Sequence, residues 1–244
     1  MTILGILSAK GGVGSSLLAT NLGCALASFG TVALVDLHPG CGVDELLLDL
    51  SPKHSWADLL PVAKEIQERH FELGRTSHSS GLELYAAPDT WVLGHPVEAM
   101  QEVIQALNKR VAWVILDLGL GCSPQNDQIL PLVSQILLVT TADPIALRAN
   151  KRLYEQLSAD IKDRSGLVLN QYTRRHPLKP RQLADAMDIE LLATLPTDVR
   201  SVGYQVNFGR ASVSDTRSAY GRGVTALAGR LNKRLKAKPI GQGE

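Results

Sequence analysis

Short apolar runs alternate with longer segments of helical spacing along most of this chain. Ile3–Ser8, Val32–Asp36, Leu82–Ala86, Val111–Leu118, Gln135–Thr140, Leu167–Asn170 and Ile189–Thr194 are rich in Val, Ile and Leu. Their apolarity is near-continuous rather than alternating, which suits strands covered on both faces, as in a parallel sheet. Between them, Leu17–Phe29, Pro61–Phe71, Pro96–Lys109, Ala146–Leu157, Pro180–Met187 and Gly221–Lys236 have the length and spacing of helices. Gly30, Pro88 and the Ser77–Gly81 cluster punctuate the pattern. This alternation predicts an α/β fold, a doubly wound and mostly parallel sheet flanked by helices, with ligands at the carboxyl ends of the strands.

Size and charge narrow that picture. At 244 residues, 45% of them hydrophobic and 20% charged, the chain is expected to form a single domain over 1–238 with a disordered tail over 239–244. The uncharged stretch Gly11–Val35 is long enough to suggest a membrane span, but Asn21, Ser28 and Gly30 read better as a buried helix followed by a strand. No basic leader or cleavage signature precedes the first strand, so a cytoplasmic protein is expected. Cys24, Cys41 and Cys122 form no metal-ligand or disulfide spacing. Net charge is +1, yet residues 1–122 carry −6 and residues 123–244 carry +7. Such asymmetry permits an anionic partner on the C-terminal half and equally describes solvated helix faces.

Candidate chemistry concentrates in Lys10-Gly-Gly-Val-Gly-Ser-Ser16, between a predicted strand and a predicted helix. Backbone N–H groups of such a loop can wrap a phosphate at a helix N-terminus. The general phosphate-loop pattern is G-x-x-x-x-G-K-[ST]. Here Ser15 occupies the lysine slot, while Lys10 stands at the front of the loop. Asp36 and Asp117 close two further apolar strands and should meet the loop at one end of the sheet. With the Ser16 hydroxyl, they are candidate ligands for Mg2+ or its waters.

Together these residues resemble the ParA/MinD family of deviant Walker A ATPases, whose loop reads K-G-G-x-G-K-[ST]. The resemblance extends over Leu167–Asn170 and Leu195–Asp198, and the segments Val35–Leu60 and Ile136–Pro144 look closest to the TadZ/CpaE pilus-assembly branch. It implies a P-loop NTPase fold, ATP and Mg2+ as cofactors, and an ATP-sandwich homodimer. In that dimer Lys10 would reach the partner's phosphates and Gly11, Gly12, Val13, Gly14, Ser15 and Ser16 would cradle them. Ser16, Asp36 and Asp117 would hold magnesium, with Asp36 opening a catalytic switch, and Asn170, Pro196 and Asp198 would lie by the adenine. Asn170 and Pro196 can also be read as plain turn residues. The branch would imply pilus or secretion machinery as partner and placement at a cell pole. Membrane binding is not expected, because Leu227, Leu231 and Leu235 suffice only for packing. Non-specific DNA remains an alternative partner, through Arg148, Lys151, Arg152, Arg174, Arg175, Lys179, Arg181, Arg210 and Arg217.

Two departures bear on catalysis. Ser15 removes a charge worth about 1.5–3 kcal/mol, roughly a 10- to 100-fold change in affinity. His38 stands where the family commonly has the second aspartate of D-x-D; it can act as a base or be an exposed loop residue. The expectation is a nucleotide binder with weak or absent hydrolysis, unless Lys10 folds back in cis. An active partition-type ATPase and a scaffold without nucleotide are the other readings.

Overall fold

The computed structural model describes residues 2–90, 97–121 and 123–236, with side chains as far as 234. Pro96, Cys122, Lys238, the predicted tail and the side chain of Leu235 lie outside the described residues. Among the described residues, eight strands form one sheet: β1 (Thr2–Ser8), β2 (Val32–Asp36), β3 (Thr76–Ser77), β4 (Leu82–Tyr85), β5 (Trp113–Leu120), β6 (Gln135–Thr140), β7 (Ser165–Tyr172) and β8 (Leu191–Pro196). Their order is β3-β4-β2-β5-β1-β6-β7-β8, and every pairing is parallel except β3 with β4. The central β1 lies between β5 and β6. Strands are added on both sides of it, so the crevice at its carboxyl end is where this topology places a ligand.

Burial on both faces explains the continuous apolar runs. Ile3, Leu7, Val35, Val114, Leu116, Ile136 and Leu138 face one core, covered by α4 (Val97–Arg110), a 3₁₀ helix (Trp56–Glu65) and α3 (Glu68–Gly74). Their neighbours Leu4, Ile6, Leu34, Ile115, Leu137 and Val139 face the other, under α1 (Ser15–Leu26) and the C-terminal helix Ala219–Lys236. Lodged between the sheet and that last helix, α1 buries nine of its 12 residues and carries no charge, as an all-round apolar helix should. Leu227 and Leu231 are buried in the same core, so packing rather than lipid occupies them. No helix among the described residues is long and apolar enough to cross a membrane.

The structure corrects several predicted boundaries. The helix expected over Pro61–Phe71 is two elements. Ser55 and Asp58 form a capping pair, with Ser55 N–H donating to Asp58 Oδ2 at 2.8 Å, so the 3₁₀ helix starts at Trp56 and carries Pro61 inside it. Extended backbone at Ile66 then ends it before α3. β5 and β8 each run two residues further than expected, to Leu120 and Pro196. The sequence reading passed over α2 (Asp44–Leu47), α5 (Pro124–Ile129), α7 (Ala159–Lys162) and α9 (Val199–Phe208), which join α6 (Pro144–Gln156) and α8 (Pro180–Met187); the last helix is α10. α9 escaped notice because Val199, Tyr204, Val206 and Phe208 are exposed while its buried residue is Gln205. That glutamine completes a buried polar network: Oε1 accepts from Asn21 Nδ2 (2.7 Å) and Ser212 N (2.9 Å), and Nε2 donates to Leu47 O (3.2 Å).

Candidate functional site

The carboxyl ends of β1, β2 and β5 bring the predicted loops together. Ser8, Lys10, Gly11, Gly12, Gly14, Ser15, Ser16, Leu17, His38, Gly119 and Leu120 line one open cavity of about 220 Å³. Between Asp117 and Gly119 the pairing of β5 with β1 slips by one residue, so Ile6 faces Asp117 and Leu7 faces Gly119. The bulge turns the chain toward the loop. Gly121 N–H donates to Ser8 O at 2.7 Å and ties the two strand ends.

Glycine is required at the head of α1. Gly14 caps the helix in the left-handed region, at φ 90°, and a Cβ there would lie 2.5 Å from Asn170 Nδ2. The first-turn amides of α1 have no intrahelical acceptor and face the cavity end of the loop. Asn170 is buried, and its Nδ2 donates to Val13 O at 2.8 Å, while Gln171 Nε2 donates to Gly12 O at 3.2 Å. Asn150 Oδ1 accepts from Ala9 N–H at 3.2 Å. The loop is thus fixed from β7 and α6, by two residues, Gln171 and Asn150, that sequence reasoning missed. Asn150 interrupts the apolar face of its helix, and that was the available signal.

Ser15 is 9% exposed and its hydroxyl has no hydrogen-bond partner among the described residues. Lys10 points away from the loop: its Nζ stands 3.6 Å from Asp143 Oδ1, with 42% of the side chain exposed. Asp143 caps α6, and its pKa is lowered by the Thr141 hydroxyl, the Ala146 N–H and, to a lesser degree, Lys10.

Asp36 and Asp117 are wholly buried. Asp36 Oδ1 accepts from His38 N–H (3.1 Å) and contacts His38 Nδ1 (2.7 Å); Oδ2 accepts from Val43 N (3.0 Å) and Asp44 N (3.3 Å). Asp117 Oδ1 accepts from Gly119 N at 3.4 Å, and its Oδ2 makes no hydrogen bond of ordinary geometry among the described residues. Burial pushes Asp117 up to about 6, with Asp36 adding to the rise and His38 and the Ser16 hydroxyl opposing it. Asp44, which sequence reasoning also missed, is completely buried, with both carboxylate oxygens unpartnered among the described residues. Desolvation, then the charges of Asp36 and Asp117, hold it well above the carboxylate range. For His38, burial disfavours the charged form, but the Asp36 hydrogen bond and the two carboxylates outweigh it and the pKa is raised. His38 is therefore not a free loop residue: only 21% of its side chain is exposed.

A second cavity of about 290 Å³ adjoins the loop, lined by Leu17, Asn170, Gln171, Pro196, Val202 and Tyr220 among others. Asn170 and Pro196 both reach it. Asp198 borders it, but its carboxylate is occupied: Oδ1 accepts from Ser201 N (3.1 Å), and Oδ2 from Ser218 Oγ (2.9 Å) and Tyr220 N (3.3 Å). It joins the start of α9 to that of α10. Of the predicted basic residues, Arg148, Lys151, Arg152, Arg174, Arg175, Lys179, Arg181, Arg210 and Arg217 are exposed.

Known proteins share this fold. MinD from Synechocystis is 24% identical over 206 residues, covering 82% of this chain and 77% of its own. A ParA family ATPase from Chlorobium tepidum superposes with a TM-score of 0.86 at 20% identity, covering 94% of this chain and 98% of the other. MinD from Pyrococcus horikoshii, solved with Mg-ADP, gives 0.82 at 22% identity over 98% and 99%. Residues 4–205 match the model of the CobQ/CobB/MinD/ParA nucleotide binding domain. With most of its length inside that match and its cavities at the strand ends where this fold binds ligands, the chain belongs to the CobQ/CobB/MinD/ParA nucleotide-binding family.

Proposed function

We propose that this protein is a deviant Walker A switch that binds ATP with Mg2+ and hydrolyses it weakly or not at all. The observation that carries this reading is the pairing of an intact amide cradle with an altered charge set. Gly11, Gly12, Gly14, Ser15 and Ser16 line the loop cavity, while Val13 is buried, Ser15 stands in the lysine slot and the Lys10 ammonium lies 3.6 Å from Asp143. Main-chain amides and the helix N-terminus can hold a phosphate chain without that lysine. The charge stabilisation that phosphoryl transfer needs is then reduced.

The adenine would lie in the cavity of Asn170 and Pro196. Asp117 Oδ2, buried beside Ser16 without a hydrogen bond of ordinary geometry among the described residues, fits a divalent cation held by Ser16, Asp36 and Asp117. Bound there, Mg2+ would neutralise phosphate charge. Lys10 leaving Asp143 to reach the phosphates of a second copy describes an ATP-sandwich homodimer. The likeness of Val35–Leu60 and Ile136–Pro144 to the TadZ/CpaE branch supports a role in positioning a Tad-type pilus or secretion machine, in the cytoplasm at a cell pole.

Calorimetric titration with ATP and Mg2+, read beside the mass in solution and phosphate release, tests this reading. Binding with dimer formation and release at the blank level is expected; robust turnover abolished by Lys10→Ala overturns it. A partition-type ATPase on non-specific DNA is the second reading, favoured by the exposed arginines of α6 and the following loops. Robust turnover together with DNA affinity that falls steeply with salt would select it.

A further inference from the structure

The cation end of the cavity contains an imidazole among carboxylates, and that changes which metal it suits. One oxygen each of Asp36 and Asp117 and one nitrogen of His38 lie within 4.8 Å of one another. His38 Nδ1 is 2.7 Å from Asp36 Oδ1 and 3.8 Å from Asp117 Oδ2. Three donors each ~2.1 Å from one cation stand about 3.0–3.4 Å apart, in octahedral or tetrahedral geometry. The two His38 spacings bracket that range, and the Asp36 and Asp117 oxygens lie within 4.8 Å of each other, so modest side-chain adjustment would bring all three donors onto one ion.

An independent observation points to a missing positive charge. Asp117 Oδ2 is wholly buried and makes no hydrogen bond of ordinary geometry among the described residues, with the Ser16 hydroxyl and, at 3.8 Å, His38 Nδ1 beside it. Behind it, both oxygens of the buried Asp44 are unpartnered as well. Among the described residues, no lysine or arginine pairs with Asp36, Asp44 or Asp117, and Lys10 is engaged by Asp143. Buried carboxylates without partners or counter-charges are costly, and a metal ion removes that cost. Backbone amides already fix the ligands: Val43 and Asp44 N–H hold Asp36 Oδ2, and Gly119 N–H holds Asp117 Oδ1. The imidazole, 21% exposed, gives an entry path from the phosphate cavity.

We propose that Asp36, His38 and Asp117 bind a first-row transition cation directly, Mn2+, Co2+ or Zn2+, and do so without nucleotide. Magnesium prefers oxygen ligands and keeps several waters, whereas an imidazole nitrogen suits the transition ions. The ion takes the place of the proton on His38 Nδ1, leaving Nε2–H toward Gly119 and the cavity. This deepens the nucleotide reading for the same site, but it rests on the side chains alone.

The test uses the full chain, stripped with EDTA and free of nucleotide, titrated with MnCl2 and followed by electron paramagnetic resonance. One Mn2+ per chain is expected, with spin-echo modulation from directly bound 14N that changes on labelling histidine with 15N. His38→Ala should weaken Mn2+ binding at least tenfold, and His38→Asp should lower the preference for Mn2+ over Mg2+. No Mn2+ bound without nucleotide, or bound Mn2+ lacking nitrogen coupling, overturns the proposal. Labelled wild-type protein carries that readout alone, so a variant that fails to fold does not decide the matter. Binding of a fluorescent ATP analogue with excess Mg2+ is scored separately: its failure overturns the nucleotide reading and leaves the metal site standing.

Discussion

Adding one methyl group at Gly119 should destabilise the protein chiefly through His38. A Cβ there would fall 1.9 Å from His38 Nε2 and 2.4 Å from Cδ2, so the imidazole must leave. Gly119 also has φ 66°, where a side chain costs about 1–2 kcal/mol. Expelling the ring breaks its 2.7 Å contact with Asp36, a charge-assisted bond worth about 1.5–3 kcal/mol. The ring has little room to swing, since the His38 N–H is itself held by Asp36 Oδ1. Gly119→Ala should therefore cost about 2.5–5 kcal/mol in all. His38→Ala should cost about 1.5–3 kcal/mol, and in that background the added methyl meets no ring and costs only the backbone strain. The double variant is thus no less stable than Gly119→Ala alone. Urea denaturation of the four proteins in EDTA measures this, with a coupling of about 1.5–3 kcal/mol expected. Effects that add within about 0.5 kcal/mol would show that the imidazole does not occupy the space against Gly119.

Acidification should stabilise the metal-free protein. Asp117, Asp44 and His38 all have raised pKa values when folded, so the native state binds more protons than the unfolded chain. Stability is then present at low pH and lost as pH rises through the folded values; for Asp117, moving from 3.8 to about 6 corresponds to up to about 3 kcal/mol. Chemical denaturation at pH 5 and 7.5 in EDTA should show the higher midpoint at pH 5, and a midpoint that climbs with pH refutes the burial argument. Ser15→Lys places an ammonium where the buried hydroxyl lacks a partner and should tighten ATP binding about 10- to 100-fold by calorimetry; unchanged affinity would mean the cavity does not hold the phosphates. Gln205→Ala strands Asn21 and Ser212 in the core and should cost about 2–4 kcal/mol by urea denaturation. Lys10→Ala should change stability by less than about 1 kcal/mol, because its pairing with Asp143 is exposed.

What could be read from the sequence was local. Seven of the eight strands were legible because each is buried on both faces and carries a continuous apolar run; β3 has two residues and no core to fill. α1 was legible from the glycine loop before it and the absence of charge within it. α9 was not, although Asp198 caps its start and Gly209, at φ 63°, ends it. Its amphipathic signal is inverted, with apolar residues outside and a hydrogen-bonded glutamine within. The 3₁₀ helix was misplaced because Pro61 looked like a first-turn residue, while the capping pair Ser55 and Asp58 lay outside the apolar spacing.

The chemistry divides along the same line. Ser15, Ser16, Asp36 and Asp117 stand out because each has a fixed place beside a strand end. The partners that decide their charge do not: Asp143 is 133 residues from Lys10, and Asp44 becomes significant only once its carboxylate is sealed from water. His38 and Ser15, read one at a time, look like two separate losses. Placed in one cavity they are a redistribution: a cation leaves the loop, and a group whose pKa the surrounding carboxylates raise enters opposite it. Among the described residues, Asp36 and Asp117 at the strand ends and Asp44 at the start of α2, all buried, have no fixed counter-charge other than that imidazole. Protons held by Asp44, Asp117 and His38 offset that charge in the metal-free protein, and a cation arriving from solution would take their place. On the proposed reading, a polyphosphate across the loop amides would meet positive charge supplied by the metal rather than by a loop lysine, and nucleotide binding would then depend on metal supply.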